Sequence, residues 1–148
     1  MNQKAQTYWN EFWQEKDTSA KVTAEQFGAE PDYLAQLVIE GTKTATCSGH
    51  IFYEIENEPL PEVGQYMIVL NSEDQPVAII QTTEVTLTPM NQVSEEFAEA
   101  EGEGDKSYQY WWDAHESFFR SELEKAGKEF SEEMLLVCER FQLVDVKE

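Results

Sequence analysis

Two neighbouring stretches, YMIVL at residues 66–70 and VAIIQTTEVTLT at 77–88, constrain the fold more than any other part of the chain. Both are rich in β-branched residues, and the turn-forming ENEPLPEVG and NSEDQP precede them in turn. A sheet therefore occupies the middle of the chain. IFYEI at residues 51–55 reads as a strand ahead of it, and MLLVCERFQLVDV at 134–146 as a closing one.

Helical patterns surround these strands. Tyr8, Trp9, Phe12 and Trp13 recur at helical spacing, which predicts a first amphipathic helix ending before the Asp17, Thr18, Ser19 cluster, with a loop after it. Pro31 and Asp32 lead into YLAQLVIEG, where Leu34, Leu37 and Val38 form an apolar stripe. Gly41 stands where a left-handed C-cap belongs, so this helix stops at Glu40. Residues 94–101 predict a short acidic helix, broken by Gly102 and Gly104. Ser107 then caps a longer helix that closes at Gly127. The class is α+β: a small curved sheet or barrel, mostly antiparallel, with helices at its side. No repeat or long linker divides the chain, so one domain over residues 1–148 is expected.

Charge narrows the function. The chain has 30 acidic residues against 10 lysines and arginines, a formal net charge of −20. Extended duplex nucleic acid would be repelled, because polyanions are held by neutralising their phosphates. A nucleoside, an RNA end or a single flipped base needs only a local pocket and stays open. No apolar run approaches the roughly 20 residues that span a bilayer, so no membrane partner is expected. The opening residues lack a signal-peptide pattern. Two cysteines, Cys47 and Cys138, lack the number and spacing of a disulfide framework or zinc site, which points to free thiols in the cytoplasm. The residues leave the oligomeric state open.

Against this acidity one basic residue stands out. Lys43, in GTKTAT, is the sole lysine or arginine between residues 22 and 105. Thr42, Thr44 and Thr46 surround it, and a threonine beside a basic group is a candidate nucleophile. The plainer reading has Lys43 interacting with the end of the preceding helix and the threonines building strand. In a regular strand Lys43 and Thr46 point to opposite faces, so joint action needs a bend. Glu101, Glu103 and Asp105, alternating with glycines, suggest either a cation loop, a solvated acidic turn or a single functional carboxylate. In YQYWWDAHESFF, Tyr108, Trp111, Trp112, His115, Phe118 and Phe119 follow a helical stripe. Core packing is the ordinary role for such a stripe, although a ring could stack on a base or face a protein partner.

Together these segments resemble the ASCH superfamily. GTKTAT has its G-x-K-x-x-T pattern after a helix, and DYLAQLVIEGTKTAT, PLPEVGQY, AEAEGEGDKSYQYWWDAH and MLLVCERFQLV follow in the order of the longer bacterial members. The resemblance implies a PUA-like β-barrel with flanking helices and a helical N-terminal extension over about residues 1–30. Characterised relatives include amidohydrolases that deacetylate N4-acetylcytidine, an RNA-cleaving protein and proposed RNA binders. By that resemblance Lys43, Thr46 and Glu101 are the catalytic candidates, and Thr44, Trp111 and His115 are candidate substrate contacts. Trp112 departs from the pattern, standing where related long members carry a basic residue. The expected reaction is metal-independent amide hydrolysis without a cofactor, on a nucleoside or short single-stranded RNA. The alternatives are a non-catalytic RNA or nucleotide binding module and a ribonuclease.

The chemistry assigns roles within that set. Thr46 would attack the acyl carbonyl, and Lys43 would steady the oxyanion. Lys43 could serve as general base only if its pKa fell by about 3 units from about 10.4, a change worth roughly 4 kcal/mol, and an acidic setting opposes that. Glu101 would move the proton or hold the base.

Overall fold

A computed structural model describes residues 1–13, 21–28 and 30–147. In chain order the elements are α1 (Gln3–Phe12), β1 (Val22–Gln26), α2 (Pro31–Glu40), β2 (Ala45–Gly49), α3 (His50–Glu56), β3 (Tyr66–Leu70), β4 (Pro76–Pro89), a 3₁₀ turn at Met90–Gln92, α4 (Glu95–Glu101), α5 (Tyr108–Lys125) and β5 (Leu135–Val146). The strands form one sheet in the order β1-β3-β4-β5-β2. β1 runs parallel to β3, and the other three pairings are antiparallel. Register shifts between Ile79 and Ile80 and between Thr82 and Glu84 bend the long strand β4. The sheet curls into a half-barrel with β1 and β2 at its edges.

The near-continuous apolar runs of β3 and β4 reflect burial on both faces. Ile68, Leu70 and Ile79 pack with Ala5, Tyr8 and Trp9 of α1, whereas Val69, Ala78 and Ile80 pack with Leu34, Ala35, Leu37 and Val38 of α2. Strand alternation sends successive residues to these two helices. A third cluster joins Ala45, Leu136 and Cys138 to Phe97, Trp111, Phe119 and Leu123 of α4 and α5.

Helix ends follow the sequence closely. The Asn2 side chain accepts from the Ala5 amide at 2.8 Å, Ser94 from Phe97 at 3.1 Å and Ser107 from Tyr110 at 3.1 Å, each satisfying a first-turn N–H. Gly41 closes α2 with φ 81°, as the sequence indicates. The Asp17, Thr18, Ser19 cluster lies outside the described residues.

Two readings are corrected. IFYEI is not a strand: residues 50–56 form α3, ended by Asn57 at φ 54°, with the Glu58 amide bonded to the Tyr53 carbonyl at 2.9 Å. Its β-prone residues obey packing rather than propensity, since Ile51 and Phe52 lie against the α4–α5 cluster and the Tyr53 hydroxyl meets Ser48 at 2.8 Å. The stretch read as loop within the N-terminal extension contains β1. VTAEQ is short, polar and at an edge, so its apolar signal is faint, and its parallel partner β3 begins 44 positions after it at Tyr66↔Val22.

Gly102 ties the fold to the site described below. It adopts φ 71° after α4, and a Cβ there would sit 2.4 Å from the Thr42 carbonyl oxygen. Left-handed strain and a backbone clash act together. Gly102→Ala is expected to lower the unfolding free energy by more than about 1–3 kcal/mol in a urea titration, whereas Gly64→Ala, which meets nothing within 4 Å at φ 94°, should cost only the backbone strain.

Candidate functional site

The site forms where the chain leaves α2, enters β2 and meets the end of α4. The amides of Thr42 and Lys43 both donate to the Leu37 carbonyl, at 2.9 and 3.0 Å, which completes the helix end. The Thr44 amide then donates to the Ala100 carbonyl at 2.8 Å, and the Phe141 amide to the Thr44 carbonyl at 3.0 Å. These bonds, with the close approach at Gly102, bring Lys43 against Glu101.

Both side chains are almost wholly buried, at 1% and 2% exposed. The Lys43 ammonium lies 3.3 Å from Glu101 Oε1, 3.5 Å from the Glu101 carbonyl and 3.0 Å from Glu103 Oε2. Its three protons thus have three acceptors. Phe27 covers it, with the ring centroid 5.6 Å from Nζ. The other Glu101 oxygen, Oε2, accepts from the Trp111 indole N–H, lies 3.4 Å from Cys47 Sγ and lies 3.4 Å from His115 Nε2. His115 Nδ1 sits 2.7 Å from the Trp111 carbonyl. A carbonyl only accepts, so Nδ1 carries a proton, and the carboxylate at Nε2 favours a second one.

Electrostatics follow from this arrangement. Burial alone would push the Glu101 pKa up, but Lys43, followed by His115 and Trp111, brings it down to about 2. Burial likewise works against the Lys43 ammonium, and the carboxylates of Glu101 and Glu103 outweigh it and raise its pKa. Burial disfavours the His115 cation, and its contact with Glu101 prevails, so that pKa is raised as well. The Cys47 thiol is driven well up by burial and by Glu101. The result is an ionised carboxylate inside a ring of donors.

The sequence candidates divide accordingly. Lys43, Thr46, Glu101 and His115 line one cavity of about 520 Å³, together with Phe27, Glu103 and Glu139. Trp111, 3% exposed, supports the carboxylate from behind and is not among the lining residues. Thr44 is exposed, its hydroxyl 3.4 Å from the Ala100 carbonyl, and also stands outside the lining. Lys43 reaches past the end of α2 into the pocket, contrary to the plainer reading of it as a helix-end charge. Lys43 precedes β2, so the alternation that separates it from Thr46 in a regular strand does not apply.

The acidic loop does not converge on a cation site. Glu103 meets Lys43, while Asp105 accepts from the Ser107 amide at 2.9 Å. Cys47, Glu101 and His115 do bring ligand-type atoms within 4.8 Å of one another. An ion there would compete with the Lys43 ammonium and the Trp111 N–H for the same carboxylate. Sequence reasoning passed over Glu139, which lines the cavity from β5. Its place opposite Thr46 is a matter of register, which a single sequence does not carry.

The curled mixed sheet with helices on its flanks defines a PUA-like fold of the α+β class. The chain belongs to the ASCH domain family, whose sequence model matches residues 23–145. A crystal structure of an ASCH domain from Lactobacillus crispatus JV V101 superposes with a TM-score of 0.91 at 36% identity, covering 98% of this chain and 96% of that one. A protein from Enterococcus faecalis V583 matches with a TM-score of 0.87 at 42% identity, over 99% of this chain and 91% of its own. The ASCH protein of Zymomonas mobilis, at 12% identity, a TM-score of 0.51 and coverage of 88% and 75%, shares the fold. No curated protein matches the sequence significantly. Among the described residues no helix is long and apolar enough to cross a membrane.

The ion cluster has a stability signature. Glu101 ionises at about 2 in the folded protein against an ordinary value of 4.5. The folded state therefore binds fewer protons in that window, and stability present above pH 4.5 is lost as the pH falls towards 2. The raised His115 pKa acts oppositely: its contribution is full below about 6.5 and lost as the pH rises through the folded value. Glu101→Gln, which removes the fully buried one of the two carboxylates beside Lys43, is expected to cost about 3–5 kcal/mol in urea unfolding at pH 7. The loss should shrink as the pH is lowered through 4.5.

Proposed function

We propose that this pocket hydrolyses an amide on the exocyclic amine of a nucleoside, N4-acetylcytidine being the substrate type that the family resemblance suggests. The observation that carries the reading is the buried Lys43 ammonium, fixed by an ionised Glu101 at the wall of a cavity that Thr46 also lines. A cavity of about 520 Å³ lies within the range of small-ligand sites. Nucleosides and short single-stranded RNA are the proposed partners. The net charge of −20 argues against extended duplex.

The division of labour is as follows. Thr46 Oγ attacks the acyl carbonyl, and Lys43 holds the oxyanion that develops. The Lys43 contact with Glu103 is the replaceable one, because the Glu103 side chain is 22% exposed while that of Glu101 is 2%. A substrate carbonyl oxygen takes the place of Glu103 on the ammonium. Glu101 keeps Lys43 charged and aimed; with its oxygens already engaged, it is an electrostatic anchor, which narrows the proton-moving role considered from the sequence. Trp111 supports the substrate only through that anchor, whereas His115 both holds the anchor and lines the cavity.

The test is release of cytidine from N4-acetylcytidine by the purified protein and by variants whose folding is checked by circular dichroism. Thr46→Ala should abolish turnover and retain binding, and Thr46→Ser should preserve part of it. Lys43→Ala should reduce kcat about 10²–10³-fold, the loss seen on removing an oxyanion-hole donor. Absence of turnover in the parent protein, with acetylcytidine or short RNA still raising its melting temperature, would replace this reading with a binding module.

A further inference from the structure

If Thr46 is the nucleophile, something must take its proton, and the groups clustered at Lys43 are poorly suited. The Lys43 ammonium has no lone pair, Glu101 is ionised and already surrounded by donors, and His115 gives one ring proton to a carbonyl and faces a carboxylate with the other nitrogen. Glu103 meets Lys43 in the free protein, and the carboxylate that strand register pairs with Thr46 is a different one. Elsewhere in the cavity lining the register supplies a different group. β2 and β5 are antiparallel, and Thr46 and Glu139 are direct partners across them. Direct partners project to the same face, with Cβ atoms about 4.5–5.5 Å apart. Both residues line the 520 Å³ cavity, and both also line a second cavity of about 530 Å³.

We infer that Glu139 is the acid–base residue of this site, taking the proton of Thr46 during attack and delivering it to the departing nitrogen. The assignment rests on the amidohydrolase reading above and deepens it. In the first half-reaction the Thr46 Oγ–H bond breaks to the Glu139 carboxylate as the Oγ–carbon bond forms, and the carbonyl electrons move to the oxyanion at Lys43. Collapse of that intermediate breaks the carbon–nitrogen bond, and the nitrogen takes the proton from Glu139. The acyl group is then an ester on Thr46. Water attacks the ester while Glu139 accepts its proton, the Oγ–acyl bond breaks, and Thr46 recovers a proton from Glu139. The products are the free amine and the carboxylic acid, and the residues return to their starting states.

The surroundings of Glu139 suit a group that must hold and release a proton near neutrality. Burial raises its pKa; the Thr82 hydroxyl, 3.4 Å from Oε1, opposes this, and the negative charge of Glu25 on β1 adds to it, for a value of about 7. Tyr53 of α3 lies on the same side, and Glu56, Glu58 and Lys21 line the adjoining cavity. Arg140, its neighbour on β5, is engaged elsewhere, 3.5 Å from Glu84 and 3.3 Å from Glu96. A base close to the working pH is the most effective kind.

The experiment is a pH–rate profile from pH 5 to 9 for the wild-type protein, Glu139→Gln and Thr82→Val, with N4-acetylcytidine as substrate. Melting curves confirm folding of each variant. For the wild type kcat should fall below about pH 7 as Glu139 protonates. Glu139→Gln should lose about 10²–10⁴-fold in kcat, change KM little, and lack that acid limb. Thr82→Val removes the hydrogen bond that favours the Glu139 anion, so its acid limb should move to higher pH. A Glu139→Gln protein with wild-type kcat and an unchanged profile would overturn the assignment while leaving the amidohydrolase reading in place. A wild-type protein that does not turn over would overturn both.

Discussion

Taking the Lys43 ammonium out of water costs several kcal/mol unless an anion goes with it, and much of the local architecture serves that requirement. Glu101 supplies the anion at 3.3 Å, and Trp111, His115 and Cys47 satisfy the carboxylate from the other side. Gly102 permits α4 to end against Thr42, so that the two charges meet. The elements concerned, the end of α2, the start of β2, the end of α4 and the first half of α5, are far apart in sequence. Their junction is therefore specified by the ion cluster as much as by apolar packing.

The site contains two carboxylates with opposite environments. Glu101 is surrounded by donors and cations and is held ionised, with a pKa of about 2. Glu139 is half-buried with one hydroxyl and a neighbouring negative charge, and its pKa is about 7. Environments that drive two like groups apart are how a fold gives one an electrostatic task and the other a proton-moving one. The cysteine at position 47 fits the first environment: its thiol stays protonated beside Glu101 and acts as a weak donor.

Much of the fold was legible because its signals are local. Gly41 and Ser107 mark helix ends through chemistry confined to a few residues, and the β-rich runs at YMIVL and VAIIQTTEVTLT need no partner to be recognised. α3 and β1 were not legible for the opposite reason. IFYEI has strand composition and becomes helix because Ile51, Phe52 and Tyr53 find partners elsewhere in the chain. VTAEQ becomes strand because β3 offers it a parallel edge. At the site, Lys43 was conspicuous by its isolation among acidic residues, and the fold sets it against Glu101. Thr44 and Trp111 carried similar sequence signals, yet Thr44 is turned to solvent and Trp111 is packed behind the carboxylate. Glu139 carried no signal, since only strand register sets it opposite Thr46.

The central claim is that an ionised Glu101 holds a charged Lys43 inside the pocket wall. Carbon-13 NMR of the Glu101 side-chain carboxyl, followed from pH 8 down to the onset of acid unfolding, tests it most directly. The carboxylate shift is expected to stay flat through pH 4.5 and to begin to move only as the pH approaches about 2 or the protein unfolds. A Glu101 carboxyl that titrates at or above 4.5 in the folded protein would contradict it.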